Sequence, residues 1–279
     1  MSTVLITGCS TGFGKLAALT FARQGHTVFA SMRNLDKAGP LQDAAAAEGL
    51  KIAVVQLDVE DPASVARAVA EVAAEAGTID ILVNNAGMEI RGPVEEVSDG
   101  EVRRQFDTNV FGLLGVVRAV LPAMRERGAG VIVNISSIGG VVSAPFAGLY
   151  SASKHAVEAI TEALHYELRP FGVRVAVIEP GGFATEFGNN ASEAAAFTAS
   201  SPYRAAADRF EAALGKLAPD GEPGDPQLVA DEIVRVATEP NAPLRTLVGG
   251  DAELIMAVRT TTDFEGFEQA MRNTLDWWD

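Results

Sequence analysis

Seven short runs rich in β-branched residues alternate with longer segments of helical periodicity, and this rhythm constrains the fold more than any other feature of the sequence. The runs are residues 3–7, 27–31, 52–57, 79–84, 130–136, 173–180 and 246–249. Most are almost continuously apolar, which is typical of parallel strands covered by helices on both faces. The sequence therefore predicts a doubly wound α/β fold with about seven parallel strands.

Length and composition favour a single domain over the whole chain, residues 1–279, because 279 residues of which 48% are hydrophobic can build an extensive core. Two segments fall outside the strand and helix rhythm. The segment at about 182–225 is rich in Ala, Ser, Gly and Pro, and the segment at about 250–279 ends in LDWWD. We expect the first to be a substrate loop or lid and the second a C-terminal extension.

Charge and composition exclude several classes of protein. A formal net charge of −15 argues against a nucleic-acid partner, since phosphate binding needs clustered Lys and Arg. No apolar run reaches the length of a bilayer span and the N-terminus lacks the pattern of a signal peptide, so we expect a cytoplasmic protein with no membrane partner. The single Cys9 excludes an internal disulfide, and His26, His155 and His165 form no metal-ligand pattern, so we expect no metal.

The segment GCSTGFG, residues 8–14, fits two incompatible motifs. Its first five residues satisfy the G-x-S-x-G pattern of a hydrolase nucleophile elbow, with Ser10 as the nucleophile. From Gly12 onward the chain satisfies the G-x-G-x-x-A form of a dinucleotide-binding turn. Both motifs connect a strand to a helix, so their position in the chain has to decide.

Position favours the dinucleotide-binding turn. A nucleophile elbow needs earlier strands and a later His in a strand-end loop, whereas Ser10 follows the first strand and no later His lies in such a loop. In the alternative, Gly8 permits the tight turn, Gly12 allows close approach of the backbone, and Gly14 lets the helix pack on the strand. The free N–H groups of that helix would then face a pyrophosphate.

Further motifs follow at defined intervals. They are TGxxxGxG from Thr7 to Gly14, NNAG at 84–87, Asn109 in DTNVFG, Ser137 in NISSIGG, YSASK at 150–154 and PGGFAT at 180–185. Together they cover roughly residues 3–185. With these motifs the chain resembles the short-chain dehydrogenase/reductase family, in its shorter, un-extended branch. TGCSTGFG and FASMRNL are also similar to members that act as hydroxysteroid and retinol dehydrogenases. The resemblance implies a Rossmann-type sheet, a nicotinamide cofactor and a carbonyl or alcohol substrate.

The spacing of Tyr150 and Lys154 supports this chemistry independently of the resemblance. The two residues are four apart at the start of a helical stretch, so their side chains emerge on one face, one turn apart. Poising a tyrosine near neutral pH requires roughly 4 kcal/mol of stabilisation of the phenolate. We expect the Lys154 ammonium and an oxidised nicotinamide ring to supply it, which would make Tyr150 the general acid/base.

Two more polar residues complete the catalytic set that the resemblance implies. Ser137 lies at a strand end, 13 residues before Tyr150, and would hold the substrate oxygen; the neighbouring Ser136 is the alternative. Asn109 would help hold a water linked to Lys154. A structural role, in which Asn109 distorts a helix by bonding its backbone, is the alternative there.

The resemblance also implies the cofactor-binding residues. Asp58 would contact the adenine, NAG at 85–87 would line the cofactor, and Thr185 would orient the nicotinamide carboxamide, with loop or helix capping as the alternative in each case. The full predicted set is Gly8, Ser10, Thr11, Gly12, Phe13, Gly14, Arg33, Asp58, Val59, Asn85, Ala86, Gly87, Tyr150, Lys154, Pro180, Gly181, Phe183 and Thr185.

The end of the second strand predicts NADP(H) as the cofactor, with NAD(H) as the alternative. An acid at this position would bind the ribose 2′-hydroxyl of NAD, whereas an Arg accommodates the 2′-phosphate of NADP. Met32 and Arg33 occupy the strand end, and Asp36 follows too late to be the obvious ribose acid. Arg33 as a solvated loop charge remains the alternative.

These features predict an NADP-dependent oxidoreductase that moves hydride between the cofactor and a carbonyl/alcohol pair. The alternative is a redox-sensing scaffold that binds NADP(H) without turnover. We expect a small hydrophobic substrate, because the resemblance places apolar side chains in the pocket wall: Met88, Val141, Val142, Phe146, Phe187 and Phe197. We also expect a homodimer or homotetramer, formed through the apolar helix at about 109–124, the Tyr150 helix and the last strand.

Overall fold

The computed structural model of the protein describes residues 1–218 and 223–277. Four residues of the predicted lid, 219–222, and Trp278 of the predicted tail lie outside the described residues.

A parallel sheet of seven strands forms the centre of the molecule, in the order β3-β2-β1-β4-β6-β7-β9. The nine strands of the described chain are β1 Thr3–Ile6, β2 Thr27–Met32, β3 Ile52–Gln56, β4 Ile81–Asn84, β5 Ile90–Arg91, β6 Gly130–Ile135, β7 Val173–Pro180, β8 Ser192–Glu193 and β9 Arg245–Val248. All seven predicted strands are present, and the fold class is confirmed. β5 and β8, which pair in parallel as a separate two-stranded sheet, were not predicted.

Helices cover both faces of the sheet. Those of the described chain are α1 Gly12–Arg23, α2 Gly39–Ala47, α3 Pro62–Ala76, α4 Asp99–Phe106, α5 Leu113–Arg127, α6 Gly148–Leu168, α7 Glu186–Asn190, α8 Arg204–Ala213, α9 Pro226–Thr238, α10 Gly250–Thr261 and α11 Phe264–Leu275. Val4 and Ile6 of β1 pack with α1 and α9, whereas Leu5 between them packs with α3, α5 and α6. Successive strand residues thus face opposite layers, as a doubly wound sheet requires.

The order of the strands determines where a ligand can bind. β1 pairs with β2 on one side and with β4 on the other, so the chain winds away from β1 in both directions. In open parallel sheets the crevice at this switch point, beyond the carboxyl ends of the strands, is the usual ligand site.

α4 and α5 form one long helix, interrupted by a π-helical segment at Asp107–Gly112. Within the described residues this helix, Asp99–Arg127, is long and apolar enough to cross a membrane by length and composition, which the sequence analysis did not anticipate. Because the core helices of soluble proteins have the same length and composition, a single such helix is weak evidence for a membrane span. Val116 and Met124 are buried in the core layer, whereas Phe111 is exposed.

The predicted lid and the C-terminal extension pack on each other. The lid contains α7, β8 and α8, and β8 ties it to β5. α10 and α11 form the extension, which shares an apolar cluster with α8 through Phe210, Ile255 and Leu275. The Trp277 ring lies 5.0 Å from the Phe210 ring, and Arg209 Nε donates to the Trp277 carbonyl at 3.1 Å. Trp277 is thereby fixed to the lid.

Candidate active site

A cavity of about 970 Å³ opens at the carboxyl ends of the strands. The loops after β1, β4, β6 and β7 line one part of it, and the lid lines the other. It therefore occupies the switch-point crevice that the topology indicates.

The loop after β1 presents the N-terminus of α1 to this cavity. Gly8 and Gly12 adopt positive φ angles of 73° and 57°, which favour glycine. A Cβ on Gly14 would lie 2.4 Å from Asn85 Nδ2 and 2.6 Å from the Gly8 carbonyl oxygen, so only glycine fits there. Gly14 lies behind the cavity wall, where it lets α1 pack closely on the end of β1. It is not among the described residues that line the cavity, so the structure does not place it as a direct cofactor contact.

Asn85 fixes this turn to the end of β4. Its side-chain Nδ2 donates to the carbonyl oxygens of Thr7 at 2.8 Å and Gly8 at 3.0 Å. The backbone N–H groups of Asn85 and Ala86 both donate to Thr7 Oγ1 at 3.0 Å. The turn is therefore preorganised by the strand end that the NNAG motif occupies.

The N-terminus of α1 is suited to a pyrophosphate. Thr11 takes the N-cap position, and its side chain makes no capping hydrogen bond to the described backbone. The first turn of the helix contains no acidic residue, so the helix dipole and the free N–H groups remain available to an anion. Ser10, Thr11, Gly12 and Phe13 all line the cavity, so this end fits a dinucleotide.

Two cations line the cavity beyond the end of β2. One is the predicted Arg33; the other is Lys37, which the sequence analysis missed. The Asn34 side chain accepts from the Asp36 N–H at 2.9 Å and caps the short turn that carries Lys37. The sequence signal that could have indicated Lys37 is Asn34, a residue type that often caps a turn directly after a strand.

The remaining predicted contacts from β3 and β4 also line the cavity. They are Asp58, Val59, Asn85, Ala86 and Gly87. Asp58 also caps its own loop, which was the alternative to a contact with the adenine. Its Oδ1 accepts from the Glu60 N–H at 3.1 Å.

Tyr150 and Lys154 lie in the first two turns of α6 and both line the cavity. The Lys154 ammonium is 5.7 Å from the centre of the Tyr150 ring and donates to the Ile135 carbonyl oxygen at 2.9 Å. Burial lowers the pKa of Lys154 to about 8, against the charges of Glu158 and Glu89, which raise it. Lys154 is therefore a buried ammonium that titrates close to physiological pH.

The surroundings of Tyr150 raise the pKa of its phenol. Burial raises this pKa well above its ordinary value, and the nearby Glu89 carboxylate raises it further. A hydrogen bond with Ser137 and the charge of Arg91 act in the opposite direction but are outweighed. The chain by itself therefore keeps Tyr150 as a neutral phenol, and the lowering of this pKa by Lys154 together with an oxidised nicotinamide ring stays a prediction.

Ser137 and Ser136 have different surroundings. Ser137 lines the cavity beside Tyr150, and its Oγ accepts from the Gly139 N–H at 3.0 Å. The Ser136 hydroxyl is buried and interacts with Glu158. The structure thus brings Ser137, rather than the alternative, to the phenol.

Asn109 lies in the π-helical segment and is buried behind the cavity wall. Its Oδ1 accepts from the Met88 N–H at 2.8 Å, and its Nδ2 donates to the Met88 carbonyl at 2.9 Å and to Ser153 Oγ at 3.0 Å. The side chain therefore ties the loop after β4 to α6 instead of bonding its own backbone. It is not among the described residues that line the cavity.

The PGGFAT segment continues β7 into the cavity wall through Pro180, Gly181, Phe183 and Thr185. Gly182 N–H donates to Asp251 Oδ2 at 2.6 Å, which links this loop to the start of α10. Thr185 also has the alternative role of a helix cap, because its Oγ1 accepts from the Phe187 N–H at 3.3 Å.

The substrate side of the cavity is more polar than predicted. Four of the six predicted wall residues line it: Met88, Phe146, Phe187 and Phe197. Neither Val141 nor Val142 is among the described residues that do, and Val142 packs instead in the cluster with α8 and the C-terminal extension.

An ion pair on the substrate side was missed. Arg91 Nη2 lies 3.1 Å from Glu89 Oε2, and both side chains line the cavity. The local sequence MEIR, residues 88–91, has no feature that predicts this ion pair. The contact between Glu89 and Arg91 depends on the pairing of β5 with β8 of the lid.

Fold and cavity together define an α/β protein whose switch-point crevice fits a dinucleotide and also contains a Tyr-Lys pair and a serine. The sequence profile of the short chain dehydrogenase family matches residues 2–196, so the chain belongs to that family. The predicted resemblance is confirmed, and the hydrolase alternative is excluded.

Three known proteins illustrate the relationship. A 3-ketodihydrosphingosine reductase of Bacteroides thetaiotaomicron is 38% identical over 255 residues, 91% of this chain and 90% of that protein. Retinol dehydrogenase 8 of Bos taurus is 43% identical over 189 residues, 66% of this chain and 60% of that protein. The structure of a gluconate 5-dehydrogenase from Burkholderia cenocepacia with NADP and tartrate is 28% identical, has a TM-score of 0.77, and covers 91% of this chain and 95% of that one.

Proposed function

We propose that the protein is an NADP(H)-dependent oxidoreductase that transfers hydride between the cofactor and a hydrophobic carbonyl or secondary alcohol. The observation that carries this proposal is the convergence of Ser137, Tyr150 and Lys154 in one cavity with the free N-terminus of α1. Membership of the short-chain dehydrogenase family supports the reaction class.

The chain's own residues position the substrate oxygen and supply the proton. Ser137 and Tyr150 share a hydrogen bond, so a carbonyl oxygen placed between them would accept from both hydroxyls. Tyr150 then donates its proton to the developing alkoxide, and its raised pKa keeps that proton present at neutral pH. When bound, the nicotinamide cofactor supplies the hydride and, in its oxidised form, a positive charge beside the phenol.

Substitution of Tyr150 tests this assignment. Tyr150→Phe removes only the titrating hydroxyl, so we expect turnover to fall by at least about 100-fold while the affinity for NADPH stays nearly unchanged. Tyr166→Phe is the matched control, because Tyr166 is an exposed residue of the same helix. A Tyr150→Phe variant that kept more than about a tenth of the wild-type activity would refute the general-acid role.

The proposed preference for NADP(H) depends on the cations beyond β2. Arg33 and Lys37 both line the cavity, whereas the strand ends in the buried Met32 rather than in an acid. A guanidinium bonds phosphate oxygens with charge-assisted hydrogen bonds of roughly 1.5–3 kcal/mol, which corresponds to about ten- to a hundred-fold discrimination.

Arg33→Ala should therefore lower kcat/KM with NADPH by about ten-fold or more and leave the value with NADH nearly unchanged. Arg169→Ala, an exposed position at the opposite end of the sheet from the cavity, is the control. Equal losses with both cofactors would contradict the argument from Arg33.

The substrate proposal is supported by the aromatic wall of Phe146, Phe187 and Phe197. The names of the two relatives point to a ketone and an alcohol as the reacting groups. A panel of long-chain, cyclic, sugar and phosphorylated carbonyls, monitored by NADPH absorbance, tests it. Preference for sugars or phosphate esters would contradict the hydrophobic class, and tight NADPH binding without turnover of any member would favour the redox-sensing scaffold.

Self-association is proposed through the exposed side of α5. Phe111 is exposed and borders a groove of about 400 Å³ between α3 and the π-helical segment, which also includes Val59, Val65 and Ala119. An exposed apolar groove of this kind is typical of a subunit contact. Light scattering should show a dimer or tetramer, and a monomer at micromolar concentration would contradict the proposal.

A further inference from the structure

A buried cluster of charged groups lies directly beneath the catalytic pair. Glu158 of α6 and Glu179 of β7 are only 7% and 3% exposed. Arg245 of β9 contacts both carboxyls and also the more exposed Glu162. Burial of two carboxyl groups is costly unless hydrogen bonds and charges compensate, so the arrangement requires an explanation.

The geometry places the two buried carboxyls around one guanidinium. Arg245 Nε lies 3.3 Å from Glu158 Oε2 and 3.5 Å from Glu179 Oε1, and its Nη2 donates to Glu162 Oε2 at 2.6 Å. Glu158 and Glu179 lie close enough for each to shift the pKa of the other, and the Ser136 hydroxyl is buried near Glu158 without a hydrogen-bond partner among the described residues.

The hydrogen bonds decide which carboxyl carries the charge. Two carboxylates cannot bond each other, because neither has a proton to donate. Burial raises the pKa of both carboxyls, but Arg245 Nε donates to Glu158 Oε2 at 3.3 Å, so Glu158 is the better acceptor of the two. Burial, the charge of Glu158 and the hydrogen bond to Glu158 raise the pKa of Glu179 to about 7. Glu179 is therefore the protonated member and donates to the Glu158 carboxylate.

That carboxylate lies one helical turn beyond Lys154. Residues 150, 154 and 158 are spaced by four along α6, so the phenol, the ammonium and the carboxylate follow one another on the same helix face. Burial disfavours the charged form of Lys154, and Glu158 is the leading group that opposes this effect, followed by Glu89.

We propose that Glu158 is a positioning residue for the reaction: its carboxylate, held by the Arg245 guanidinium one helical turn beyond Lys154, keeps the buried Lys154 ammonium charged. In the proposed function the Lys154 ammonium, which lines the cavity 5.7 Å from the centre of the Tyr150 ring, would bind the cofactor, and Glu158 acts through it. No redox or covalent step is involved, since the only change is which groups retain their protons.

Charged groups from several elements surround Lys154 and Glu158. Lys154 faces Glu158 from its own helix and Glu89 from the loop after β4, with Tyr150 one turn before it. Glu158 faces Arg245 of β9 and Glu179 of β7. Removal of the Glu158 charge leaves only Glu89 to oppose the effect of burial on Lys154.

The test measures the pKa of Lys154 directly in the ligand-free protein. The chain has only five lysines, so ¹³C NMR of protein labelled at lysine Cε gives few signals, and Lys154→Arg assigns the one of interest. Glu158→Gln should lower the pKa of Lys154 by about one unit or more, because an opposite charge nearby is removed. Glu158→Asp should restore it in part.

Two further variants separate charge from packing. Glu162→Gln removes a carboxylate that contacts the same Arg245 but lies a turn farther from Lys154, so the pKa of Lys154 should not change. Glu179→Gln keeps a neutral donor to Glu158, so this pKa should again stay near the wild-type value. If Glu158→Gln does not fold, Glu158→Asp, whose shorter side chain moves the carboxylate away from Lys154, should lower the pKa of Lys154 in the same direction by a smaller amount. An unchanged pKa in Glu158→Gln, or equal changes in Glu158→Gln and Glu162→Gln, would overturn the proposal.

Kinetics extend the test, and this part rests on the proposed function. In carbonyl reduction, Glu158→Gln should move the alkaline decline of kcat to lower pH by the amount measured for Lys154, while KM for the carbonyl changes less than two-fold. Glu162→Gln should leave the profile unchanged. Turnover with an unmoved profile would overturn the role of Glu158 and leave the proposed function standing. Absence of turnover in the wild type would count against the proposed function, and the NMR titration would still decide the role of Glu158.

Discussion

Glu179→Gln should make the protein more stable at alkaline pH than the wild type. Glu179 is 3% exposed, and burial together with the neighbouring Glu158 raises its pKa from the ordinary 4.5 to about 7. At about 1.4 kcal/mol for each pKa unit, this difference amounts to about 3 kcal/mol of folding free energy.

The sign follows from proton binding. Between pH 4.5 and about 7 the native state keeps the Glu179 proton while the unfolded state has lost it. The free energy of unfolding therefore falls as the pH rises through this window, and the stabilisation is fully lost above about pH 8. Glutamine does not titrate, so the free energy of unfolding of Glu179→Gln should not show this fall with rising pH.

Urea unfolding at pH 5, 6, 7 and 8 measures the effect. The difference in free energy of unfolding between Glu179→Gln and wild type should grow in favour of the variant by about 3 kcal/mol between pH 5 and pH 8. Glu162→Gln is the control for loss of a carboxylate at Arg245, because Glu162 is partly exposed. Parallel stability curves for the variant and the wild type would refute the buried, protonated state of Glu179.

Three other substitutions or treatments have defined outcomes. Gly14→Ala should weaken NADPH binding more than ten-fold and lower Tm, because the added Cβ would meet Asn85 Nδ2 at 2.4 Å. Gly115→Ala on α5 is the control and should be neutral, because a Cβ there meets nothing within 4 Å. Calorimetry measures the binding of NADPH and thermal melts measure Tm. The Cys9 thiol should react with a disulfide reagent only after unfolding, because burial raises its pKa, and rapid labelling of the native protein would contradict this. Asp251→Ala removes a hydrogen bond of 2.6 Å to the loop after β7 and should raise KM for the cofactor by about ten-fold, an expectation that an unchanged KM would contradict.

The sheet and most of the dinucleotide end could be predicted because their signals are local. Most of the seven strands are almost continuously apolar runs, and the glycines of the first turn, Gly8, Gly12 and Gly14, have φ angles and close contacts that match the expected turn. Ser137 and Tyr150 lie at a strand end and a helix start, where short-range patterns suffice.

The cluster under Lys154 could not be predicted for the opposite reason. From the sequence, Glu158 would be expected on the exposed face of a helix, and Glu179 would be expected as a polar residue at the end of an apolar strand. Only the packing of α6 on β7, with Arg245 brought in from β9, buries them together. The same holds for Glu89, whose effect on Tyr150 depends on a loop fixed by the unpredicted pairing of β5 with β8.

The position of the Phe146 ring has a consequence for how this chain can diverge. Phe146 adopts a positive φ of 61°, and its ring lies within about 6 Å of Phe197 and Phe210 of the lid and of Trp277 near the chain end. The cofactor end, by contrast, is built by loops that precede residue 186. Changes within α8 and α11 would therefore remodel the aromatic wall while Ser137, Tyr150 and Lys154 keep their surroundings.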